Sequence, residues 1–455
     1  MVCSVTNYLG TGSNPRLHLE LGANGAGWKP YDIDYGQPGQ NPWSGDPTKQ
    51  WVAWNVKDEK GNYYGTVNLK GSDGNQALWE GYKAAEGRWL IGIEFPRVGA
   101  GSYNLTCKEI RPSGPTGPFP DARPATPAIY RHGPVNRPVV LSANGAKIVN
   151  DLGETVVLKG VSRPSLEWDK QGQYLSPLDI ANIRGWATDR RGPMYPGVNV
   201  IRIPLCQDLW RESQARDVIG SYKQIVDAMI CYSIAQEMAV ILDLHRLTPG
   251  DGTPKMANKD SLTFWKDVAS AYKSFGTVLF ELFNEPHDIT SEEWINGDGG
   301  DIVGYQPLYD AVRGAGANNL CIVGGLDWAY DLSFVPAYQV QGVGIVYCSH
   351  PYVPKGKDGF ESNFAGVLGK FPVILTEFGG NQESTYKDLD YYNSVISYVN
   401  TKGFHYTGWA WWVDKNPWFP CLIGDWNGTP INGGGIVHGD LQRFPGTDFA
   451  YGPRA

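Results

Sequence analysis

Two glutamates in this 455-residue chain each close an apolar run. Residues 277–286 read Thr-Val-Leu-Phe-Glu-Leu-Phe-Asn-Glu-Pro, and residues 372–379 read Pro-Val-Ile-Leu-Thr-Glu-Phe-Gly. Apolar residues on both parities of such a run mean that both faces are buried, as in a parallel strand covered by helices. Pro286 cannot donate to a ladder, so the first strand is expected to end there. Glu285 and Glu377 then sit at C-terminal strand tips, where α/β barrels keep their chemistry. Two carboxylates facing each other across a barrel mouth suit hydrolysis of a glycosidic bond. One is kept protonated as acid, and the other ionised as nucleophile or base.

Other strand ends carry groups that fit the same task. They read Ile-Arg202-Ile-Pro, Asp243-Leu-His245-Arg246, Ser-His350-Pro-Tyr352 and Gly-Trp409-Ala-Trp411-Trp412. Arg202 beside Glu377 would hold that carboxylate charged, because an adjacent cation lowers its pKa. Asn284 is expected to hydrogen-bond a sugar 2-hydroxyl, and Trp412 to form the floor beneath the ring at the cleavage point. Glu281 shares parity with Glu285 but lies four residues deeper, which favours a buried carboxylate tied to barrel polar groups over a catalytic one. His287 and Asp288 are read as orienting their loop. Trp168, Trp265, Trp328 and Trp418 either line the cleft or pack. The 296–301 loop, Asn-Gly-Asp-Gly-Gly-Asp, lacks the spacing and final Glu of a calcium-binding hand and reads as a solvated turn.

Positioning these groups requires a full barrel. Strand candidates fall at 156–162, 198–205, 239–245, 277–286, 320–326, 344–352, 372–379 and 406–412, with helices between them. Ser176-Pro177 starts one helix, and 215–238, 259–275, 303–315, 362–370 and 386–402 fit others. Eight strands alternating with helices predict a (β/α)8 barrel, here spanning 129–455 and entered through a β-hairpin. Residues 1–110 are instead β-rich, with short segments at 16–21, 50–56, 63–69, 88–95 and 102–109 separated by turn residues, as in a β-sandwich or jelly roll. Six prolines between 111 and 128 make a semi-rigid linker. The fold class is therefore α/β, an all-β module followed by a TIM barrel.

From about Pro138 onward the chain resembles glycoside hydrolase family 5, the cellulase family of clan A. The resemblance rests on Arg202 in Ile-Arg-Ile-Pro, Asp243-Leu-His245, Asn284-Glu285-Pro286-His287-Asp288, His350-Pro-Tyr352, Thr376-Glu377-Phe378-Gly379 and the 409–412 cluster, in family order. Asn-Glu-Pro-His-Asp and the later Gly-Gly-Gly-Ile look most like the bacterial endo-β-1,4-glucanase branch. The resemblance implies Glu285 as acid/base and Glu377 as nucleophile in a retaining double displacement. It also implies Arg202, His245, Asn284, His350, Tyr352 and Trp412 as the supporting shell, with Tyr352 either bonding the nucleophile or walling the cleft. Trp411, Trp328 and Trp168 complete the expected sugar-binding aromatics. The module 1–110 lies outside the resemblance.

Composition bounds the partners. The net charge of −8 argues against nucleic acid, and no apolar stretch is long enough to span a membrane. The chain carries 17 Trp and 25 Tyr, rings of the kind that stack on sugars or fill cores. Six of the tryptophans, Trp28, Trp43, Trp51, Trp54, Trp79 and Trp89, fall in the β-rich module, which either binds carbohydrate or stabilises the barrel. The seven cysteines show no metal-type spacing, so no metal or other cofactor is expected. Cys3 and Cys107 bracket the module and are expected to form a disulfide. The first residues, Met-Val-Cys-Ser-Val-Thr-Asn, lack the basic and apolar regions of a signal peptide, so the protein is either cytoplasmic or has had a leader removed, and the extracellular reading takes the second. The reading is a secreted, monomeric endo-acting glycoside hydrolase of cellulose-like β-glucan. Its rivals are a β-mannanase, xyloglucanase or mixed-linkage glucanase, and, from another class, a non-catalytic carbohydrate-binding protein.

Overall fold

The computed structural model describes residues 140–444, except 188–196, 217–220, 237, 251, 253, 381–388, 415 and 417–418, together with strand backbone in the first 138 residues. Contacts divide it into two compact units, the first centred on Met1–Asp121 and the second carrying the barrel.

The N-terminal strands are β1 (Val2–Thr6), β2 (Arg16–Ala23), β3 (Ala26–Ile33), β4 (Val56–Lys57), β5 (Tyr63–Thr66), β6 (Trp89–Glu94) and β7 (Asn104–Glu109). They form two antiparallel sheets, ordered β4-β5-β1-β7 and β3-β2-β6. The segment expected at 50–56 lies outside the described residues except at its last position. So do all side chains of the module, including its tryptophans and Cys3 and Cys107.

Two short strands, β8 (Arg131–His132) and β9 (Arg137–Pro138), precede the three-stranded antiparallel meander β10 (Ser142–Asn144), β11 (Lys147–Val149) and β12 (Thr155–Val156). The meander turns Ile148 and Val156 into one apolar cluster with Val200, Ile241, Leu279, Ile322, Val346 and Ile374 from the barrel interior. Leu141 N also donates to Gly276 O at 3.0 Å, the residue that leads into the fourth barrel strand. The hairpin expected before the first barrel strand therefore plugs the N-terminal mouth and leaves the C-terminal mouth for chemistry.

Eight parallel strands then close the barrel in chain order: β13 (Lys159–Ser162), β14 (Val200–Cys206), β15 (Ala239–Arg246), β16 (Val278–Glu281), β17 (Cys321–Gly324), β18 (Ile345–Cys348), β19 (Val373–Leu375) and β20 (His405–Gly408). Strand residues are buried on both parities along β14 and β16, as the apolar runs dictate. Gly160 faces Val200 in register. A Cβ there would run into the Val200 carbonyl, so the first two strands can approach only because the residue is glycine. Several strands stop short of expectation. β16 ends at Glu281 instead of Pro286, although Leu282 N still bonds Ile322 O at 3.0 Å and Asn284 N bonds Leu244 O at 3.0 Å. The three residues after Glu281 thus leave the ladder while remaining pinned to both neighbours.

Helices stand at Pro177–Gly185, Tyr222–Ala235, Lys259–Tyr272, Tyr305–Gly314, Phe360–Phe364 and Leu389–Lys402, the second shorter than the expected 215–238 and the fifth shorter than, and shifted from, the expected 362–370. Asn258 caps Lys259–Tyr272 with a reciprocal bond from its own backbone to Ser261, the arrangement that stops a helix N-terminus fraying. Among the described residues no helix is long and apolar enough to cross a membrane.

Candidate active site

Arg202 organises the C-terminal mouth. It projects from β14 fully buried, and its guanidinium reaches four acceptors on three other strands or their ends. Nε donates to Glu281 Oε2 at 2.6 Å and Nη1 to Glu377 Oε1 at 2.6 Å. Nη2 reaches Asn284 Oδ1 at 2.7 Å and Asp243 Oδ2 at 2.9 Å. Burial works against the cation, but Asp243, Glu281 and Glu377 outweigh it and hold the guanidinium well above its usual pKa. The fork geometry fixes all four partners at once, which a lysine could not do.

Glu377 is held at both oxygens. Arg202 takes Oε1, and the Tyr352 hydroxyl donates to Oε2 at 2.6 Å. Burial and the charges of Glu377 and Glu285 push the Tyr352 phenol well up, so it stays a donor. Of the two roles open to Tyr352, the structure shows a bond to this carboxylate.

Glu285 lies beyond β16 and meets His350, from just past β18, with Nδ1 at 2.9 Å from Glu285 Oε1. His350 Nε2 lies 2.8 Å from the Thr376 hydroxyl, which itself donates to Glu281 Oε1 at 2.6 Å. Because Thr376 has one proton and spends it on Glu281, His350 Nε2 must be the donor to Thr376. The Nδ1–Glu285 contact then contains a single proton shared by the pair. Burial alone would raise Glu285, yet the hydrogen bond and charge of His350 leave it lowered. Burial would likewise lower His350, but Glu377, Glu281 and Glu285 raise it well above the ordinary imidazole value. The two opposite shifts favour the proton on His350.

Glu281 is the deep, structural carboxylate that its position suggested. It is fully buried between Arg202, Thr376 and the Cys348 thiol; burial pushes it up, but Arg202 and His350 bring it down to about 2. Asp243 receives His245 Nδ1 at 2.7 Å, which fixes that ring. Asn284 accepts from Arg202, leaving its NH2 as donor. One oxygen each of Glu285 and Glu377 and a His350 nitrogen all lie within 4.8 Å of one another. These three, and the buried set Glu281, Cys348 and His350, are the groups among the described residues close enough to share a metal ion.

The aromatics take four kinds of place. Trp409 stacks on His245, with centroids 5.4 Å apart and planes 6° off parallel, and lies 5.8 Å from the Arg202 guanidinium carbon. Trp409 thus lies beside two side chains of the charged cluster. Trp412, expected beneath the ring at the cleavage point, packs edge-on against Trp168 at 5.4 Å and Trp426 at 5.3 Å, in a cluster that includes Trp409 and Tyr352. Trp411, expected at the sugar surface, is corrected: it is fully buried, bonds Asp179 Oδ1 through its indole N–H at 2.9 Å, and packs on Trp186. Alternation along the chain turns it away from the cleft. Trp265 is also interior, bonded to Leu282 O at 2.9 Å. Trp328 is 38% exposed and stacks on His287 at 3.7 Å, beside Pro286. His287 N is tied to Lys255 O at 3.0 Å, which orients that loop. Trp418 lies outside the described residues. The 296–301 loop closes on itself, with Asp298 Oδ1 accepting from Gly300 N and Ile302 N.

Residues 194–415 match the cellulase family, glycosyl hydrolase family 5. The chain is 24% identical over 347 residues to endoglucanase E-5 of Thermobifida fusca, covering 71% of this chain and 68% of that one. It is 24% identical over 274 residues to an endoglucanase of Clostridium saccharobutylicum, and spans only 56% of that relative's length. Among solved structures, a β-glucanase from Saccharophagus degradans superposes with TM-score 0.54 at 24% identity, covering 67% of this chain and 93% of the other. The catalytic domain of the major endoglucanase from Xanthomonas campestris pv. campestris gives 0.55 at 20% identity, covering 67% and 100%. These superpositions establish the shared barrel fold.

Proposed function

We propose, from the match of residues 194–415 to glycosyl hydrolase family 5, that the chain is a retaining, endo-acting glycoside hydrolase that cleaves internal β-1,4 bonds of cellulose-like β-glucan. The observation that carries the reading is the approach of Glu285 and Glu377, with oxygens within 4.8 Å and separate donors on each. A retaining pair needs carboxyl groups about 5–5.5 Å apart, whereas an inverting pair leaves space for a water at roughly 6.5–9.5 Å.

The steps follow from the hydrogen bonds. Substrate filling the cleft expels water, which strengthens the burial that favours a neutral Glu285. The shared proton then moves from His350 Nδ1 to Glu285, which delivers it to the leaving glycosidic oxygen. Glu377, aimed by Arg202 and Tyr352, attacks the anomeric carbon and forms a glycosyl ester. Glu285, now ionised, takes a proton from the incoming water, which cleaves the ester, and the configuration is retained overall.

Relatives named endoglucanase, and a Saccharophagus degradans β-glucanase solved with cellotetraose, support a β-1,4-glucan as substrate. Secretion and a monomeric state belong to the same proposal. NMR of the first product released from a cello-oligosaccharide tests the stereochemistry; the β-anomer is expected, and initial α-anomer would overturn the retaining assignment. Reducing-sugar release across cellulose derivatives, β-mannan, xyloglucan and mixed-linkage glucan tests the substrate. Preference for one of the last three would replace it, and no hydrolysis of any would favour a non-catalytic binding protein.

A further inference from the structure

Arg163 is a second buried guanidinium at the same mouth, and the chemistry above does not use it. It stands just past β13, only 1% exposed. Its N–H groups are spent inside the fold: Nε on Asp179 Oδ2 at 2.5 Å, Nη2 on Gln173 O at 2.9 Å, and Nη1 on Pro164 O and the Ser165 hydroxyl. A cation so enclosed offers nothing to a substrate directly.

What it does touch is aromatic. Its guanidinium carbon lies 5.2 Å from the Trp412 ring centroid and 5.0 Å from that of Trp426, both within cation–π range. The two rings stand at 89° to each other, and Trp168 meets Trp412 at 87°. Trp168 and Trp426 are half-buried, whereas Trp412 behind them is 5% exposed. Asp179, which anchors Arg163, holds Trp411 with its other oxygen, and Trp411 N donates to Ser162 O at 2.9 Å. One guanidinium therefore links the loops after the first and eighth strands to a buried anchor.

The cluster sits on one side of the reaction centre. It contains Tyr352, the donor to Glu377, and its tryptophans follow β13 and β20, which are neighbours in the barrel. Glu285 follows β16, across the barrel from β20. A leaving group that departs on the side of the acid would leave the sugars bonded to Glu377 on the side of Trp168 and Trp426.

We infer that Arg163 is a positioning residue that fixes Trp412 and Trp426 at right angles, so that Trp426 and Trp168 present a rigid stacking wall to the glycone sugars. The inference rests on the β-glycan hydrolase reading. Its effect lies in binding ordered sugars, not in bond cleavage, and it acts through Trp426.

Steady-state kinetics on cellohexaose with Arg163→Met, Trp426→Ala and the double variant test it. Each single variant is expected to raise KM about tenfold with kcat within about threefold, and the double variant to match Trp426→Ala within about twofold. Multiplied KM effects in the double variant, a fall in kcat at unchanged KM, or an unchanged KM in Trp426→Ala would each overturn it. If Arg163→Met fails to melt cooperatively, Arg163→Lys takes its place in the cycle, since it keeps the charge but not the fork, under the same criteria. Wild-type protein inactive on every β-glycan would sink the hydrolase reading itself, whereas active wild type with independent effects sinks only the role of Arg163.

Discussion

His350 Nδ1 and Glu285 Oε1 stand 2.9 Å apart with one proton between them, because Thr376 has already claimed the other face of the imidazole. A proton held by two bases titrates with the pair, not with either group. His350→Asn removes one of the two holders and leaves a single buried carboxyl, which gives up its proton earlier as pH rises. The alkaline limb of kcat/KM is therefore expected to move to lower pH, with kcat reduced about 10²-fold or more. An unmoved limb across a full pH series would show that the pair does not share the catalytic proton.

Glu285→Gln and Glu377→Ala should each reduce polysaccharide hydrolysis by several orders of magnitude, since both carboxylates act in one cycle. Both are expected to melt like the parent. Glu281 cannot substitute, because its carboxyl is locked by Arg202 and Thr376 and brought down to about 2. Near-normal turnover in Glu285→Gln would move the acid elsewhere.

A different histidine governs acid stability. His405 is 2% exposed and accepts a 3.0 Å hydrogen bond from Leu158 N at Nδ1, so protonation would break a buried contact. Burial, helped by Lys159, lowers its pKa from 6.5 to about 4. A depressed folded value means the unfolded chain takes the proton first. The stabilisation is whole above about pH 6.5 and is lost as pH falls toward 4. Two and a half units correspond to about 3 kcal/mol. His405→Gln, which keeps an acceptor but cannot titrate, should flatten this slope relative to the parent in denaturant unfolding between pH 7 and 4.5. Parallel slopes would refute the assignment.

Strand ends were legible because apolar runs break sharply into Arg202, Asn284-Glu285, His350 and Glu377. All eight expected barrel strands appear, since burial on both faces leaves a distinctive composition. The part that failed to show was direction. Trp409, Trp411 and Trp412 are alike by type, and only the backbone after β20 decides that Trp409 meets His245 while Trp411 turns to Asp179. The role of Asp243, named at its strand end, follows from spacing, for residues two apart on a strand share a face, and it pairs in register with Glu281. Arg163, Asp179 and Trp426 lie far apart in sequence, and no local pattern announces their meeting.

In the N-terminal module, β1 and β7 pair antiparallel, Val2 opposite Glu109 and Ser4 opposite Thr106, with an irregularity between. Cys3 therefore falls opposite the stretch containing Cys107. We expect the two to form a disulfide closing about a hundred residues, worth roughly 4–5 kcal/mol in the chain-entropy model. Mass spectrometry of non-reduced peptides should find the linked pair. Two free thiols would refute it and weaken the proposal of secretion, because reducing compartments keep such pairs open.

The module's role separates by substrate length. It carries Trp28, Trp43, Trp51, Trp54, Trp79 and Trp89, more large rings than a small sandwich core needs, and none of its acidic residues falls in a pattern that suggests chemistry. A polymer held by the module would be presented to the barrel by the same chain, so that its capture at the cleft becomes intramolecular. A short soluble oligosaccharide that fits within the barrel cleft gains nothing from such presentation. We therefore expect a protein lacking residues 1–128 to keep kcat/KM on cellotetraose within about twofold and to lose about tenfold or more on insoluble or long-chain β-glucan. Equal losses on both substrates, or a truncated barrel that no longer melts cooperatively, would make the module a stabiliser of the catalytic domain instead.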